Sequence, residues 1–373
     1  MASYNDTNGV LEIDLGVISR NYINIRNSLK KKVCCAAVVK ANAYGLGIKP
    51  VSKILIDSGC RVFFVANMLE GKTLRSILRK KNINEQTEVY ILHGPTEKNL
   101  NTYKKFNLQP VINSIYQLNK WKEYSLSKNF KSKIALHFDS GMNRLGLTKD
   151  EVDILKKNKN YLSNLNISLL MSHLSCSEES NNPINYQQKE YFEKVASFFP
   201  DSKKSLANSG GTLLNDDFHF DMVRPGCILY AGKQSLKSDI DLNNSIKLTT
   251  HIISINEINE KDAVGYGATF KPKKKTIIGT IPIGYADGYP RSLSNSGFAY
   301  INNIRVKIIG RISMDLTVID LTGVKAELGS EVILFDNTIN LDELAEKGST
   351  ISYELMTSLG KRYKRIYNKK NII

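Results

Sequence analysis

The stretch VVKANAYGLG, Val38 to Gly47, ends an apolar run on a single lysine and then turns through a tyrosine and two glycines. Lys40 is therefore the first candidate for covalent chemistry. The run before it, Val33 through Val39, is short, apolar and partly β-branched, as in a parallel-sheet strand covered on both faces. An ammonium in such a place loses basicity by desolvation, and a neutral lysine amine is the form that attacks a carbonyl to make a Schiff base. A second reading lays the stem of Lys40 along the strand and leaves its head in water. This segment alone does not separate the two.

Other polar residues with chemical potential recur at the ends of further apolar runs. Asp139 and Arg144 lie in HFDSGMNRLG, His173 in SHLS, Asn208 and Ser209 in ANSGG, and Arg224, Pro225 and Gly226 in VRPGC. The runs that position them are Val33 to Ala41, Cys60 to Ala66, Thr87 to Leu92, Leu108 to Ile112, Lys133 to Phe138, Ile167 to His173, Lys204 to Ala207 and Met222 to Leu229. Between most of them lie helical patterns: Ile48 to Ser58, Met68 to Lys81, Thr96 to Phe106, Ser114 to Tyr124, Thr148 to Lys156 and Asn185 to Phe198. Several open on a Ser or Thr suited to cap a first turn. The segment Gly211 to Asp217 has room only for a short helix.

Eight strands alternating with helices predict a (β/α)8 barrel, whose chemistry sits at the carboxyl ends of the strands. The polar residues above fall at those ends. Barrels of this kind often hold phosphate in the loops after strands seven and eight, where ANSGG and RPGC supply a hydroxyl and glycine-permitted backbone N–H groups. A Schiff-base lysine facing a phosphate cradle points to pyridoxal 5'-phosphate.

The pattern changes near residue 240, which predicts a barrel over 1–240 and a smaller, mainly β domain over 241–373. Ile246 to Ile255, Thr276 to Ile283, Val306 to Ile309, Leu316 to Ile319 and Glu331 to Phe335 read as strands, and Leu341 to Lys347 as a helix. This half holds GYGATF around Tyr266, IPIGYADGYPR around Tyr285 and GRISMDLTVID around Met314 and Asp315. Glycines beside a tyrosine let a loop approach a ligand closely; a buried tyrosine satisfied by one hydrogen bond gives the same pattern.

Composition narrows the class. The chain has 373 residues, enough for a large domain and a smaller one, and its 42% hydrophobic content is that of an ordinary globular protein. No apolar run nears the roughly 18 residues of a membrane helix, and the start MASYNDTNGV carries no signal-like pattern, so a cytoplasmic location is expected. Cys34, Cys35, Cys60, Cys176 and Cys227 form no CxxC pair and no zinc spacing, which predicts reduced thiols and no metal site. The net charge of +16 is spread along the chain, with one dense run from Lys361 to Lys370, and no nucleic-acid-binding motif accompanies it.

Taken together and in order, VVKANAYGLG, DSGMNRLG, SHLS, ANSGG, VRPGCILY, GYGATF, IPIGYADGYPR and GRISMDLTVID resemble the alanine racemases along essentially the whole chain. The resemblance implies a fold-type III pyridoxal-phosphate enzyme that interconverts L- and D-alanine, supplies D-alanine for peptidoglycan, and works as a head-to-tail homodimer. It implies that Lys40 carries the cofactor as a Schiff base and takes the α-proton of the D-isomer, while Tyr266, arriving from the partner subunit, serves the L-isomer. Met314 is implied to come from the partner too and to meet the substrate carboxylate through its backbone, with Asp315 beside it and Tyr285 at the mouth of the site. Tyr44, Asn208, Ser209, Gly226, Cys227 and Tyr353 match cofactor positions, the phosphate above all. Arg144 matches the group that bonds the cofactor's phenolic oxygen and the substrate carboxylate. Arg224 is implied to face the pyridine nitrogen and leave it unprotonated, because arginine keeps its proton at neutral pH. His173 is implied to hold Arg224, and the Tyr266 network, by a relay of hydrogen bonds; a satisfied core histidine is the plainer reading.

Two residues depart from the family pattern. Cys227 replaces a usual aliphatic residue. His137 stands where the family often has a lysine, carbamylated in several members, that orients the arginine matching Arg144. His137 is expected to stay neutral beside a guanidinium, with chloride or a nearby carboxylate balancing Arg144. The competing readings are a fold-type III decarboxylase of basic amino acids, a one-domain pyridoxal-phosphate carrier, a racemase that also takes serine, and a basic nucleic-acid-binding protein.

Overall fold

The computed structural model describes residues 7–231, 238–337, 339 and 341–369. Short runs buried on both faces form the parallel strands, as in Val62–Val65 and Gln109–Ile112, where every residue is buried. Ala37–Val38, Val62–Val65, Glu88–Ile91, Gln109–Ile112, Lys133–His137, Asn166–Met171 and Lys203–Ser205 pair in that order, all parallel. Met222–Val223 closes the ring. Its segment bonds Lys203–Ser205 on one side, through Asp221 N–H to Lys204 O at 3.0 Å. On the other side it pairs with Cys34–Cys35, and Ala36 N–H reaches Val223 O at 3.0 Å. The expected eight-stranded barrel is present.

The helices begin where their caps say they should. Asn67 caps Met68–Lys80 and Thr148 caps Lys149–Lys157, each with a glutamate completing a capping box. Ser114 caps Ile115–Ser127, and Asn182 caps Pro183–Ala196 with proline in its first turn. The seventh crossover is the short helix Ser209–Leu213 followed by a 3-10 turn at Asp216–Phe218.

Several boundaries differ from expectation. The first barrel strand does not run unbroken from Val33 to Ala41: it is split into Cys34–Cys35 and Ala37–Val38, and Lys40 opens the turn beyond it. The eighth strand stops at Val223 instead of reaching Leu229, because Pro225 has no N–H to donate and Cys227–Leu229 winds into a 3-10 turn. Ile246 to Ile255 is two strands, Ile246–His251 and Ser254–Ile258.

The second body is a nine-stranded sheet in the order Ser254–Ile258, Thr276–Ile281, Thr317–Asp320, Ile304–Ile309, Phe298–Ile301, Glu331–Phe335, Ile246–His251, Val10–Asp14, Lys364–Asn368. Val10–Asp14 corrects the expectation that everything before residue 240 builds the barrel. It lies between Ile246–His251 and Lys364–Asn368, with Val10, Leu11 and Ile13 fully buried, and the helix Leu15–Ser28 then carries the chain to the barrel. The basic run from Lys361 contributes that last strand, Lys364–Asn368; Lys370 lies outside the described residues. Leu341–Lys347 is helical as expected, and a further helix, Ser352–Ser358, follows it. Among the described residues no helix is long and apolar enough to cross a membrane, no group of side chains is arranged to hold a metal ion, and the five cysteines are free.

Candidate active site

Lys40 sits where the first barrel strand gives way to a left-handed turn. Ala41, Asn42, Ala43 and Tyr44 have φ of 51°, 56°, 54° and 54°. Each non-glycine residue in that region costs about 1–2 kcal/mol, so four in succession persist only because the surroundings hold them. Ala43 N–H bonds Val39 O at 3.0 Å, Gly45 N–H bonds Ala41 O at 2.8 Å, and Asn42 Oδ1 accepts from Ile48 N–H at 2.9 Å. Ala41 N–H donates to Glu70 Oε1 at 2.7 Å. Gly45 is required twice over: its φ is +84°, and a Cβ there would lie 2.4 Å from Met356 O on the helix Ser352–Ser358. The turn throws Lys40 to the mouth of the barrel and Tyr44 inward.

Burial and the Arg144 guanidinium lower the basicity of the half-buried Lys40, against an opposing pull from Glu70. Its amine is accordingly easier to deprotonate than a surface lysine. Sequence reasoning missed Glu70. ANMLEG carries a capping-box signal, but nothing local says that the carboxylate also reaches a strand end.

Tyr44 packs into a cradle made by two loops and the second body. Its hydroxyl lies over Gly226, where a Cβ would come within 2.3 Å of it. Gly226 N–H donates to Ser209 Oγ at 2.9 Å, and Cys227 follows fully buried. The Tyr44 ring stands 5.2 Å from that of Tyr230 and 6.0 Å from that of Tyr353. Tyr230 is fixed by its bond to Val38 O at 2.9 Å, and Tyr353 by its bond to Glu178 Oε1 at 3.3 Å. Burial raises the pKa of the Tyr44 and Tyr353 phenols, so both stay protonated donors at neutral pH. Asn208 caps the short helix through Gly211 N–H at 3.0 Å and bonds Leu174 O at 3.2 Å.

A cationic floor lies beside this cradle. Arg224 is buried and donates to Ser205 Oγ at 2.5 Å, Ser172 O at 2.5 Å and Leu206 O at 3.3 Å. All three partners are neutral, and burial brings its pKa down to about 9, still above neutrality. His137 and His173 are held neutral. Burial and then Arg224 push His137 down to about 3, and the same causes with Arg144 push His173 well below its usual value. The expected relay from His173 to Arg224 is absent among the described hydrogen bonds. Two backbone carbonyls and a serine hold Arg224 instead, and His173 Nε2 has Asn208 Nδ2 at 3.5 Å.

His137 Nδ1 is 2.8 Å from Asn113 Oδ1, while Asn113 Nδ2 is spent on Leu92 O and Val111 O. That assigns the proton of His137 to Nδ1 and leaves Nε2 as an acceptor. Arg144, exposed in the chain, forms no ion pair with a carboxylate among the described residues.

The residues drawn from the second body divide. Tyr353 joins the cradle, whereas Tyr266, Met314 and Tyr285 are 72%, 54% and 44% exposed and share no described hydrogen bond or ring contact with the Lys40 cluster. Tyr266 stands on a 3-10 turn between Gly265 and Gly267, both at positive φ. Tyr285 and Met314 are laced together, with Tyr285 N–H to Ser313 O at 3.1 Å and Ala286 N–H to Met314 O at 3.0 Å. Asp315 is paired with Arg362 at 2.8 Å, which also meets the buried Asp287 at 3.1 Å. The chain thus brings Lys40, Tyr44, Arg144, His173, Asn208, Ser209, Arg224, Gly226, Cys227 and Tyr353 together, whereas Tyr266, Tyr285, Met314 and Asp315 share no described hydrogen bond, ion pair or ring contact with them.

Comparison with known families decides the affiliation. The family description "Alanine racemase, N-terminal domain" matches residues 13–234, and "Alanine racemase, C-terminal domain" matches residues 245–367. The chain belongs to the alanine racemase family. Curated alanine racemases from Rickettsia bellii and Rickettsia akari are 43% and 40% identical to it, covering 91% and 96% of this chain and 83% and 98% of theirs. A solved alanine racemase from Bartonella henselae, with covalently bound pyridoxal phosphate, superposes with a TM-score of 0.91 at 36% identity, covering 96% of this chain and 99% of that one. The biosynthetic alanine racemase of Pseudomonas aeruginosa gives 0.86 at 30% identity, with 96% and 99% covered. Membership of the alanine racemase family over both bodies removes the one-domain carrier and the nucleic-acid-binding protein from consideration.

Proposed function

We propose that the protein is a pyridoxal-phosphate-dependent racemase that interconverts L- and D-alanine and supplies D-alanine for peptidoglycan. The observation that carries this reading is the placement of Lys40, on a left-handed turn that also delivers Tyr44 into the cradle of Ser209, Gly226 and Tyr353. The residues present fit the cofactor. Hydroxyls and a glycine backbone with no room for a Cβ suit a phosphate, and a protonated arginine with only neutral partners suits the pyridine nitrogen. When bound, pyridoxal phosphate supplies the electron sink that acidifies the α-hydrogen of an amino acid joined to it.

The chain's residues then divide the work. Tyr44, Ser209, Gly226, Cys227 and Tyr353 hold the phosphate, Asn208 caps the short helix that opens at Ser209 and has His173 beside it, and Arg224 keeps its own proton and so leaves the ring nitrogen without one. Arg144, free of carboxylate partners, receives the substrate carboxylate. Lys40 moves the proton on one face of Cα and Tyr266 on the other, because a single base would return the proton to the face it left. Tyr266, Met314, Tyr285 and Asp315 belong to the site of a second subunit in a homodimer; what supports this is their exposure and the lack of any described contact with Lys40 within one chain. The reading retains the cytoplasmic location expected from the sequence.

A chiral assay of the purified enzyme against L-alanine, D-alanine and the other L-amino acids tests the reading. The expected outcome is conversion of alanine in both directions, with serine minor, since one hydroxyl or methylene in a pocket discriminates by only about 1–3 kcal/mol. Lys40→Ala is expected to lose racemisation and the visible absorbance of the holoenzyme together. Wild-type rates in that variant, or decarboxylation of lysine or ornithine in place of racemisation, would overturn it.

A further inference from the structure

Where the first barrel strand ends, two backbone N–H groups lose their ladder partners. Val39 N–H still donates to Phe64 O at 3.0 Å, the last rung. In a continuing parallel pair, Ala66 N–H would next reach Val39 O, and Ala41 N–H would reach Ala66 O. Val39 O is instead taken by Ala43 N–H, and the chain beyond Lys40 has turned left-handed. Both freed donors go to one side chain: Ala41 N–H to Oε1 of Glu70 at 2.7 Å, and Ala66 N–H to Oε2 at 2.8 Å. A capping-box glutamate ordinarily reaches back to the N-cap N–H. Here that bond, from Asn67 N–H at 3.4 Å, is the longest of the three.

We propose that Glu70 is a positioning residue for Lys40: its carboxylate ties the Lys40–Ala41 peptide to the end of the neighbouring strand and thereby fixes where the Lys40 amine stands as a base. This rests on the reading of Lys40 as one of two proton-transfer groups. Only an ionised carboxylate offers two acceptors to two divergent N–H donors at once; an amide would present its own N–H₂ to one of them. Four consecutive left-handed residues have no intrinsic reason to hold the turn, so the tie at its first peptide sets the geometry of everything after it. The same negative charge opposes the lowering of Lys40 basicity by burial and Arg144. Glu70 shares no described contact with Tyr266, so its influence falls on one of the two faces of the substrate.

That one-sidedness gives the test. For a racemase the equilibrium constant is one, so kcat/KM stays equal in the two directions, but primary isotope effects with α-deuterated D- and L-alanine report the two abstraction steps separately. In the holoenzyme, Glu70→Gln is expected to lower kcat about tenfold to a hundredfold, the scale of a misplacement near 1 Å. It is expected to raise the isotope effect on deuterated D-alanine and lower that on deuterated L-alanine. Amide hydrogen exchange at residues 39–44 is expected to quicken at least about tenfold, as one protecting hydrogen bond is lost. Asn67→Ala, which uncaps the same helix without touching Ala41, should lower the melting temperature and leave both isotope effects at their wild-type values. Glu70→Asp keeps the charge but is too short to span both N–H groups, so its isotope effects should shift in the same sense; it carries the test if Glu70→Gln does not fold. Proportional change of both isotope effects, the same shift in Asn67→Ala, or unchanged exchange at residues 39–44 would overturn the role of Glu70. A wild-type enzyme with no isotope effect on either enantiomer would instead remove the reading of Lys40 on which it stands.

Discussion

At the scale of single residues, the site is a set of ionisable groups whose pKa values burial has shifted. Lys40 is made less basic, Arg224 stays cationic among neutral oxygens, and His137 and His173 are pressed to neutrality. His137 shows how this couples to stability. Its folded pKa of about 3 lies below the usual histidine value of about 6.5 in an unfolded chain. Between those two values the unfolded state binds the extra proton, so the stability His137 contributes is fully present above about pH 6.5 and is lost as pH falls toward 3. The loss is up to about 1.4 kcal/mol per pH unit for one such histidine. We expect His137→Gln, which keeps a donor toward Asn113 Oδ1 and removes the titration, to flatten the dependence of the urea midpoint on pH between 6 and 4. An acid limb as steep as in the wild type would mean that His137 does not stay neutral in the folded protein.

At the scale of elements, the cradle depends on how closely two turns approach each other. Gly226 has φ of −127°, outside the left-handed region, and its requirement is steric: a Cβ would stand 2.3 Å from the Tyr44 hydroxyl. Tyr44 cannot retreat easily, because the rings of Tyr230 and Tyr353 flank it and the left-handed turn fixes its backbone. Gly226→Ala is therefore expected to weaken pyridoxal phosphate binding by about tenfold or more, equivalent to roughly 1.4 kcal/mol, measured by titrating the cofactor against protein fluorescence. The fold should survive, since only a phenol tip is displaced. Cofactor affinity equal to the wild type would show that the Tyr44 hydroxyl takes no part in holding it.

At the scale of the whole molecule, the barrel carries Lys40, and the second body carries on a 3-10 turn an exposed Tyr266 that shares no described contact with it in the same chain. The proposed homodimer predicts complementation. Lys40→Ala and Tyr266→Ala subunits, each inactive alone, are expected on mixing to recover up to about a quarter of wild-type activity, since half of the dimers are then hybrids with one intact site of two. Subunit exchange would be verified by mass spectrometry of differently tagged chains. Verified hybrids without activity would mean that Tyr266 and Lys40 do not act across the interface.

The sequence by itself determined the barrel, the lysine at a strand end and the polar residues at neighbouring strand ends, because buried parallel strands are short apolar runs and helix starts carry their caps locally. Motif order was enough to indicate the family. What only the tertiary structure decided is non-local. KANAY contains no glycine, so nothing in it announces a left-handed turn; that turn exists because a carboxylate from the next helix and a carbonyl from the last rung accept its donors. Glu70 reads along the chain as an ordinary cap. Val10–Asp14 and Lys364–Asn368 gave no local sign of pairing with each other across the length of the chain. Phe298–Ile301 went unread as a strand. The grip on Arg224 passed from an expected histidine to Ser205 Oγ and two carbonyls, because backbone acceptors are invisible in a list of side chains.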